Sequence, residues 1–88
     1  MVSWELVFSK DAQKDGIKIK RAGLQKKTDL LLDILEADPF SNYPPYEKLI
    51  GDLNGFYSRR ISIHHRLVYR IDKENRRVYI DRMWTHYE

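Results

Sequence analysis

The chain has 88 residues and no cysteine, with 42% hydrophobic and 33% charged residues and a net charge of +3. A chain of this length builds one modest hydrophobic core, so we expect a single domain over residues 1–88 with its function on the rim of that core. The absence of cysteine excludes disulfides and thiolate chemistry. No apolar segment approaches the ~18 residues of a membrane-spanning helix. We therefore expect a cytoplasmic protein without a membrane partner.

Apolar patterning predicts one strand, then two helices, then three strands. In chain order these are a strand over residues 3–8, helices over residues 10–22 and 24–37, and strands over residues 56–63, 65–71 and 77–84. Asp38-Pro39 ends the second helix, and Asn54-Gly55 is a turn signal before the second strand. Because short turns join the last three strands, we expect an antiparallel meander that completes a four-stranded sheet, with the helical hairpin on one face: a two-layer α+β fold.

The excess of positive charge lies in the second half of the chain. Residues 46–88 hold nine basic and six acidic residues, and of the eight Arg only Arg21 precedes residue 59. Arginine offers a planar fork that grips phosphate from two directions, whereas scattered lysine on a helix usually serves solubility. Phosphate recognition is therefore expected in the second half.

The chemistry-bearing residues form an acid and base set rather than a metal or phosphate-loop motif. His64 and His65 are adjacent where the strand predicted from residue 65 begins, and adjacent residues of a strand point to opposite faces, which is no metal-ligand pattern. There is no glycine-rich phosphate loop and no nucleophilic serine in a recognisable context. We expect no metal and no cofactor. Six candidates remain: Glu47, Arg59, Arg60, Arg66, His86 and Tyr87.

Three ordered segments carry a resemblance to a known family. Residues 53–61 (LNGFYSRRI), residues 65–69 (HRLVY) and the final His86-Tyr87 resemble the YoeB/Txe family of toxins in the RelE superfamily. The resemblance implies a RelE-like fold and a messenger-RNA interferase that cleaves the messenger in the ribosomal A site. It also implies an antitoxin partner of the YefM/Axe type, a homodimer, and a toxin–antitoxin complex that binds operator DNA.

The resemblance assigns roles residue by residue. Glu47 matches the family's general base, His86 its general acid and Tyr87 its active-site tyrosine. Arg60 and Arg66 match the phosphate-contacting arginines, and Arg59 fits a supporting or ribosome-contacting role. The stretch of residues 81–85 (DRMWT) departs from the family pattern, which bears on contacts to the target base.

Cleavage of RNA without a metal requires such a set on chemical grounds. The 2′-hydroxyl loses a proton as it attacks the adjacent phosphorus, and the departing 5′-oxygen gains one, so two proton carriers are needed. Glu47 suits the first role and His86 the second, while Arg60 and Arg66 would stabilise charge on the phosphoryl oxygens. Unstacked bases are recognised on aromatic planes, for which Trp84 and Tyr87 lie near the end of the chain. We expect a cyclic phosphate at the upstream product end.

A second hypothesis from a different class stays open at this point. The chain could be a non-catalytic module that binds RNA, the ribosome or an acidic partner through its arginine-rich face. Glu47 would then be a solvated loop carboxylate and His86 an exposed terminal residue. Arg59 and Arg60 alternate along a predicted strand, so at most one of them faces a given site.

Overall fold

The computed structural model describes residues 3–84, which form a sheet covered on one face by a helical hairpin. The strands are β1 (Glu5–Phe8), β2 (Glu47–Lys48), β3 (Phe56–Arg60), β4 (Arg66–Asp72) and β5 (Arg77–Arg82), and the helices are α1 (Lys10–Arg21) and α2 (Gln25–Ala37). α1 follows β1 directly and α2 follows α1, and a 3₁₀ turn over Gly51–Leu53 precedes β3. Neither helix is long and apolar enough to cross a membrane, within the part of the chain that the structure describes.

Residues 3–84 form a sheet of five strands in the order β1-β5-β4-β3-β2, and among these strands only β1 runs parallel to its neighbour. This confirms the α+β class and the antiparallel meander, whereas the predicted count of four strands is wrong. The additional strand is β2, whose two residues pair with Ser58 and Tyr57 of β3. Two residues without apolar alternation carry no strand signal in a sequence, because alternation needs at least four positions to be recognised.

The hydrophobic core lies between the sheet and the two helices. Its buried members include Ala12, Ile19, Leu31, Leu35, Leu67, Tyr69, Val78 and Ile80. Ser9 is the N-cap of α1, since its Oγ accepts a hydrogen bond from the Ala12 N–H at 2.9 Å. The same Oγ donates to the Asp81 carbonyl at 2.7 Å. Within residues 3–84 no helix covers the other face of the sheet, and that face carries the candidate site.

One buried carboxylate, Asp15, links α1 to the end of β5. Asp15 is 1% exposed and accepts hydrogen bonds from Arg82 Nε at 2.9 Å and from the Met83 backbone N–H at 3.0 Å. Burial by itself raises the pKa of Asp15, but these hydrogen bonds, with the charges of Arg82 and Lys18, outweigh it and hold the pKa below its ordinary value. No sequence pattern marks this residue.

The connection between β3 and β4 differs from its predicted form. β3 ends at Arg60 and β4 begins at Arg66, so His64 and His65 lie in the connecting bend and not on a strand. The His65 carbonyl accepts from the N–H groups of Ile61 at 2.9 Å and Ser62 at 3.1 Å, which closes the bend. The extended composition of residues 61–63 therefore does not predict where β3 ends, because hydrogen bonds within the bend decide where β3 and β4 stop pairing.

Candidate active site

A pocket of about 380 Å³ opens at the edge of the sheet where β2, β3 and β4 meet. It is lined by Pro44, Pro45, Glu47, Ser58, Arg60 and Arg66. The pairing register explains the grouping, since Glu47 lies opposite Ser58 and Arg60 lies opposite Arg66. Ser58 and Arg60 are two positions apart on β3 and so point to the same face. Three residues predicted for the site, Glu47, Arg60 and Arg66, thus line one pocket.

Arg66 is the central residue of the pocket. Its Nη1 lies 3.2 Å from Glu47 Oε2 and donates to Ser58 Oγ at 3.3 Å. The Arg66 side chain is 24% exposed, whereas the Glu47 side chain is 63% exposed. A guanidinium fixed by two neighbours is thus placed beside a carboxylate that a ligand can reach.

The pairing of Arg60 with Arg66 concentrates positive charge in the pocket. Arg60 and Arg66 lie directly opposite each other on antiparallel strands, and like charges in this arrangement destabilise a sheet by up to about 1 kcal/mol. Glu47 neutralises one of the two guanidinium groups, which leaves a net charge of +1 among these three residues. An anion such as a phosphodiester would relieve the remaining repulsion, so the pocket suits a phosphate ligand.

The structure does not bring Arg59 to this pocket. Arg59 is 1% exposed and points to the face of β3 that the helices cover. Its guanidinium donates to the backbone carbonyls of Pro39, Ser41 and Pro44 and to the hydroxyl of Tyr69. In this position it holds neighbouring protein segments and does not reach the pocket that Arg60 and Arg66 line.

Tyr69 lies in the core and accepts the Arg59 Nε hydrogen bond at 2.9 Å. Burial raises the pKa of the Tyr69 hydroxyl to about 12, although the nearby charge of Arg59 partly opposes that rise. The folded protein therefore keeps the phenol neutral to a pH at which an unfolded tyrosine has already ionised.

This difference predicts a loss of stability in alkali. Unfolded tyrosine ionises near pH 10 and folded Tyr69 near pH 12, so its contribution is complete below pH 10 and is lost as the pH rises towards 12. Between pH 9 and pH 11.5 we expect Tyr69 to account for about 2 kcal/mol of that loss. Urea unfolding at pH 9 and pH 11.5 measures it: the decline should be smaller in Tyr69→Phe than in wild type or in Tyr43→Phe, which alters an exposed ring. Equal declines in all three proteins would refute the assignment.

Besides Arg59, one more predicted site residue lies away from the pocket, and two lie outside the described residues. Trp84 is half-buried, packs against the core and has its ring centroid 4.1 Å from that of His65, and it is not among the residues that line the pocket. His86 and Tyr87 lie outside the described residues 3–84, so their roles remain predictions. Among residues 3–84, no three His, Asp or Glu side chains lie close enough together to hold a metal ion.

Three residues that line the pocket were not predicted from the sequence, namely Ser58, Pro44 and Pro45. Ser58 could have been found, because it stands two positions before Arg60 on a predicted strand and so shares its face. The two prolines carry no chemical group that marks a site. Their place in the wall follows from the path of the loop, which the sequence does not specify.

The fold, with this pocket at the edge of its sheet, defines the class as that of the small α+β toxins of bacteria, because the solved structures that it resembles are such toxins. The structure is similar to the YoeB/ParE toxin from Agrobacterium tumefaciens, with a TM-score of 0.84 and 30% identity over 94% of this chain and 99% of that one. It is also similar to the YoeB–YefM complex from Staphylococcus aureus, with a TM-score of 0.77 and 32% identity over 96% of this chain and 98% of that one.

The chain belongs to the family of YoeB-like toxins of bacterial type II toxin–antitoxin systems, whose family model matches residues 8–87. Toxin YoeB of Mycobacterium bovis is 50% identical over 66 residues, which are 72% of this chain and 76% of that toxin. Toxin YoeB of Synechocystis is 44% identical over 48 residues, which are 54% of this chain and 56% of the relative. The chain thus aligns with about half the length of the Synechocystis toxin.

Proposed function

We propose that this protein is a ribosome-dependent endoribonuclease that cleaves messenger RNA in the ribosomal A site and so inhibits translation. The observation that carries the proposal is the Glu47–Arg66 pair, with its 3.2 Å contact, beside Arg60 in an open pocket of a YoeB-like toxin. An exposed carboxylate next to fixed guanidinium groups is what attack by a 2′-hydroxyl on a phosphodiester requires.

The proposed reaction needs no metal ion. Glu47 takes the proton of the 2′-hydroxyl, whose oxygen attacks the adjacent phosphorus while Arg60 and Arg66 bind the phosphoryl oxygens. The bond from phosphorus to the 5′-oxygen breaks, and His86 donates a proton to that oxygen, with Tyr87 beside it. The products are an upstream fragment ending in a cyclic phosphate and a downstream fragment with a 5′-hydroxyl. Each positioned proton carrier contributes about 10²–10⁴-fold.

The shape of the pocket supports a requirement for the ribosome. Glu47 is largely exposed and the pocket lies at the edge of an open sheet face, so the described chain offers few walls to hold and bend a messenger. Correct placement of reacting atoms accounts for much of the rate of such a reaction. A ribosome that presents the messenger would supply that placement, and RNA in solution would then be a poor substrate.

The proposed partners follow from the relatives. One solved relative is a YoeB–YefM complex from Staphylococcus aureus and another is a YoeB dimer from the same organism. We propose a YefM-like antitoxin as the inhibitor of this chain and a homodimer as its self-assembly. Binding of the toxin–antitoxin complex to operator DNA and a cytoplasmic location complete the proposal.

A translation reaction with purified protein tests the enzymatic claim. Primer extension should map new messenger ends at codons in the A site with wild-type protein, and none with His86→Gln, which keeps hydrogen bonding but cannot act as a general acid. His64→Gln, in the bend between β3 and β4, is the matched control and should cleave like wild type. Arrest of translation by His86→Gln without new ends in any sample would favour the non-catalytic binding module.

A further inference from the structure

The loop over residues 38–46, called here the proline loop, connects α2 to Glu47. It contains Pro39, Pro44 and Pro45, which have no backbone N–H, so the loop has few donors of its own for its carbonyl groups. β2 pairs with β3 at only two positions, Glu47 with Ser58 and Lys48 with Tyr57. A two-residue edge strand leaves most of the loop that precedes it unsupported.

The buried guanidinium of Arg59 supplies the missing donors. Nη1 donates to the Pro44 carbonyl at 2.6 Å, and Nη2 donates to the carbonyls of Ser41 at 2.8 Å and Pro39 at 3.1 Å. The guanidinium carbon also lies 5.1 Å from the ring centroid of Tyr46. One side chain thus contacts the proline loop from its first turn to the residue before Glu47.

The same loop forms one wall of the pocket. Pro44, whose carbonyl Arg59 binds, lines the pocket together with Pro45, and Glu47 follows two residues later. Arg59 lies between Ser58 and Arg60 on β3 but points to the opposite face, so it reaches the loop from the core side. Any shift of the loop would move the pocket wall and the Glu47 backbone together.

We propose that Arg59 is a positioning residue of the cleavage reaction: its hydrogen bonds to the proline loop hold the Glu47 carboxylate and the Pro44–Pro45 wall beside Arg66. The inference rests on the proposed function, because it assigns Arg59 a part in that reaction. Arg59 acts through the loop and does not touch the substrate.

Arginine is specifically suited to this position. Its planar group directs five N–H donors along fixed directions, and here three nitrogens donate to four acceptors. Lysine keeps the charge, but its single ammonium group cannot reach three separated carbonyls and the Tyr69 hydroxyl at once. Arg59→Lys therefore separates the fixed geometry from the buried charge.

Two measurements on Arg59→Lys test the proposal. Hydrogen exchange of the non-proline amides over residues 40–49 should become faster than in wild type. Single-turnover cleavage on saturated ribosomes should fall by about 10- to 100-fold with ribosome affinity unchanged, because a shift of about 1 Å in a reacting group has costs of that size. Ile19→Val, in the core on α1, is the control for general destabilisation and should change neither readout.

The outcomes are distinct. Unchanged exchange in the loop, unchanged cleavage, or a loss of cleavage explained by weaker ribosome binding would each overturn the positioning role. If Arg59→Lys fails to fold, Tyr69→Phe removes one of the four hydrogen bonds and should shift both readouts in the same direction by a smaller amount. If wild-type protein cleaves nothing, the proposed function fails. Faster exchange of the loop amides in Arg59→Lys would then still support the role of Arg59 in holding the proline loop, and unchanged exchange would overturn that role.

Discussion

Replacing Glu47 with glutamine should lower the single-turnover rate of messenger cleavage by about 10²–10⁴-fold. Glutamine has nearly the size of glutamate and can still hydrogen-bond, but it cannot take the proton of the 2′-hydroxyl. The carboxylate is 63% exposed, so its ion pair with Arg66 contributes little to folding, on the order of 0–1 kcal/mol after solvent screening. The fold should therefore survive the change. Primer extension on stalled ribosomes with a saturating excess of protein measures the rate.

The control for this prediction is Glu36→Gln, which removes one exposed negative charge from α2 without touching the pocket. Its cleavage rate should match wild type. A Glu47→Gln protein that cuts within a factor of about three of wild type would remove Glu47 from the role of general base, since that loss is far below the effect of a positioned base. Binding of Glu47→Gln to ribosomes should stay at the wild-type level or rise, because the pocket becomes more positive.

Replacing Asp15 with alanine should lower the free energy of unfolding by about 3 kcal/mol, the lower end of the range for removing one partner of a buried ion pair. Asp15 is buried, and the Arg82 side chain is 29% exposed, so part of the charge of Arg82 stays hydrated. The Met83 N–H also loses its acceptor. In a domain of this size the change corresponds to a fall in Tm of roughly 12–24 °C, measurable by thermal or urea unfolding.

Asp33→Ala, an exposed position on α2, is the matched control for the Asp15→Ala change and should shift the Tm by no more than a few degrees.

The pKa of Asp15 also predicts how the stability of the protein depends on acid pH. Because the folded pKa lies below its ordinary value of 3.8, the stability that Asp15 contributes is complete above that pH and is lost as the pH falls through the folded pKa. Asp15→Asn should show less acid destabilisation below pH 3.8 than wild type. A similar acid dependence in both proteins would contradict the assigned contacts.

Local sequence patterns predicted most of the secondary structure because those elements depend on neighbours along the chain. The predicted helix over residues 10–22 corresponds to Lys10–Arg21, and the helix over 24–37 corresponds to Gln25–Ala37. Ser9 caps α1 as a serine before a helix is expected to do. The strand limits at residues 60 and 66, and the strand β2, were not predictable, because pairing between distant segments decides them.

The sequence by itself determined the α+β class and the concentration of arginine in the second half. Both follow from residue type and local order, which need no knowledge of distant contacts. The wider set of predicted site residues depended largely on the resemblance to a family; it comprised Glu47, Arg59, Arg60, Arg66, Trp84, His86 and Tyr87. Only the tertiary structure decided that Arg59 lies in the core, that Asp15 is buried against Arg82, and that Glu47 meets Arg66 at 3.2 Å. The face of the sheet to which each of two adjacent arginines points depends on strand register, and the burial of a carboxylate depends on which segments supply its hydrogen bonds. Both are set by the packing of residues that are far apart in the chain.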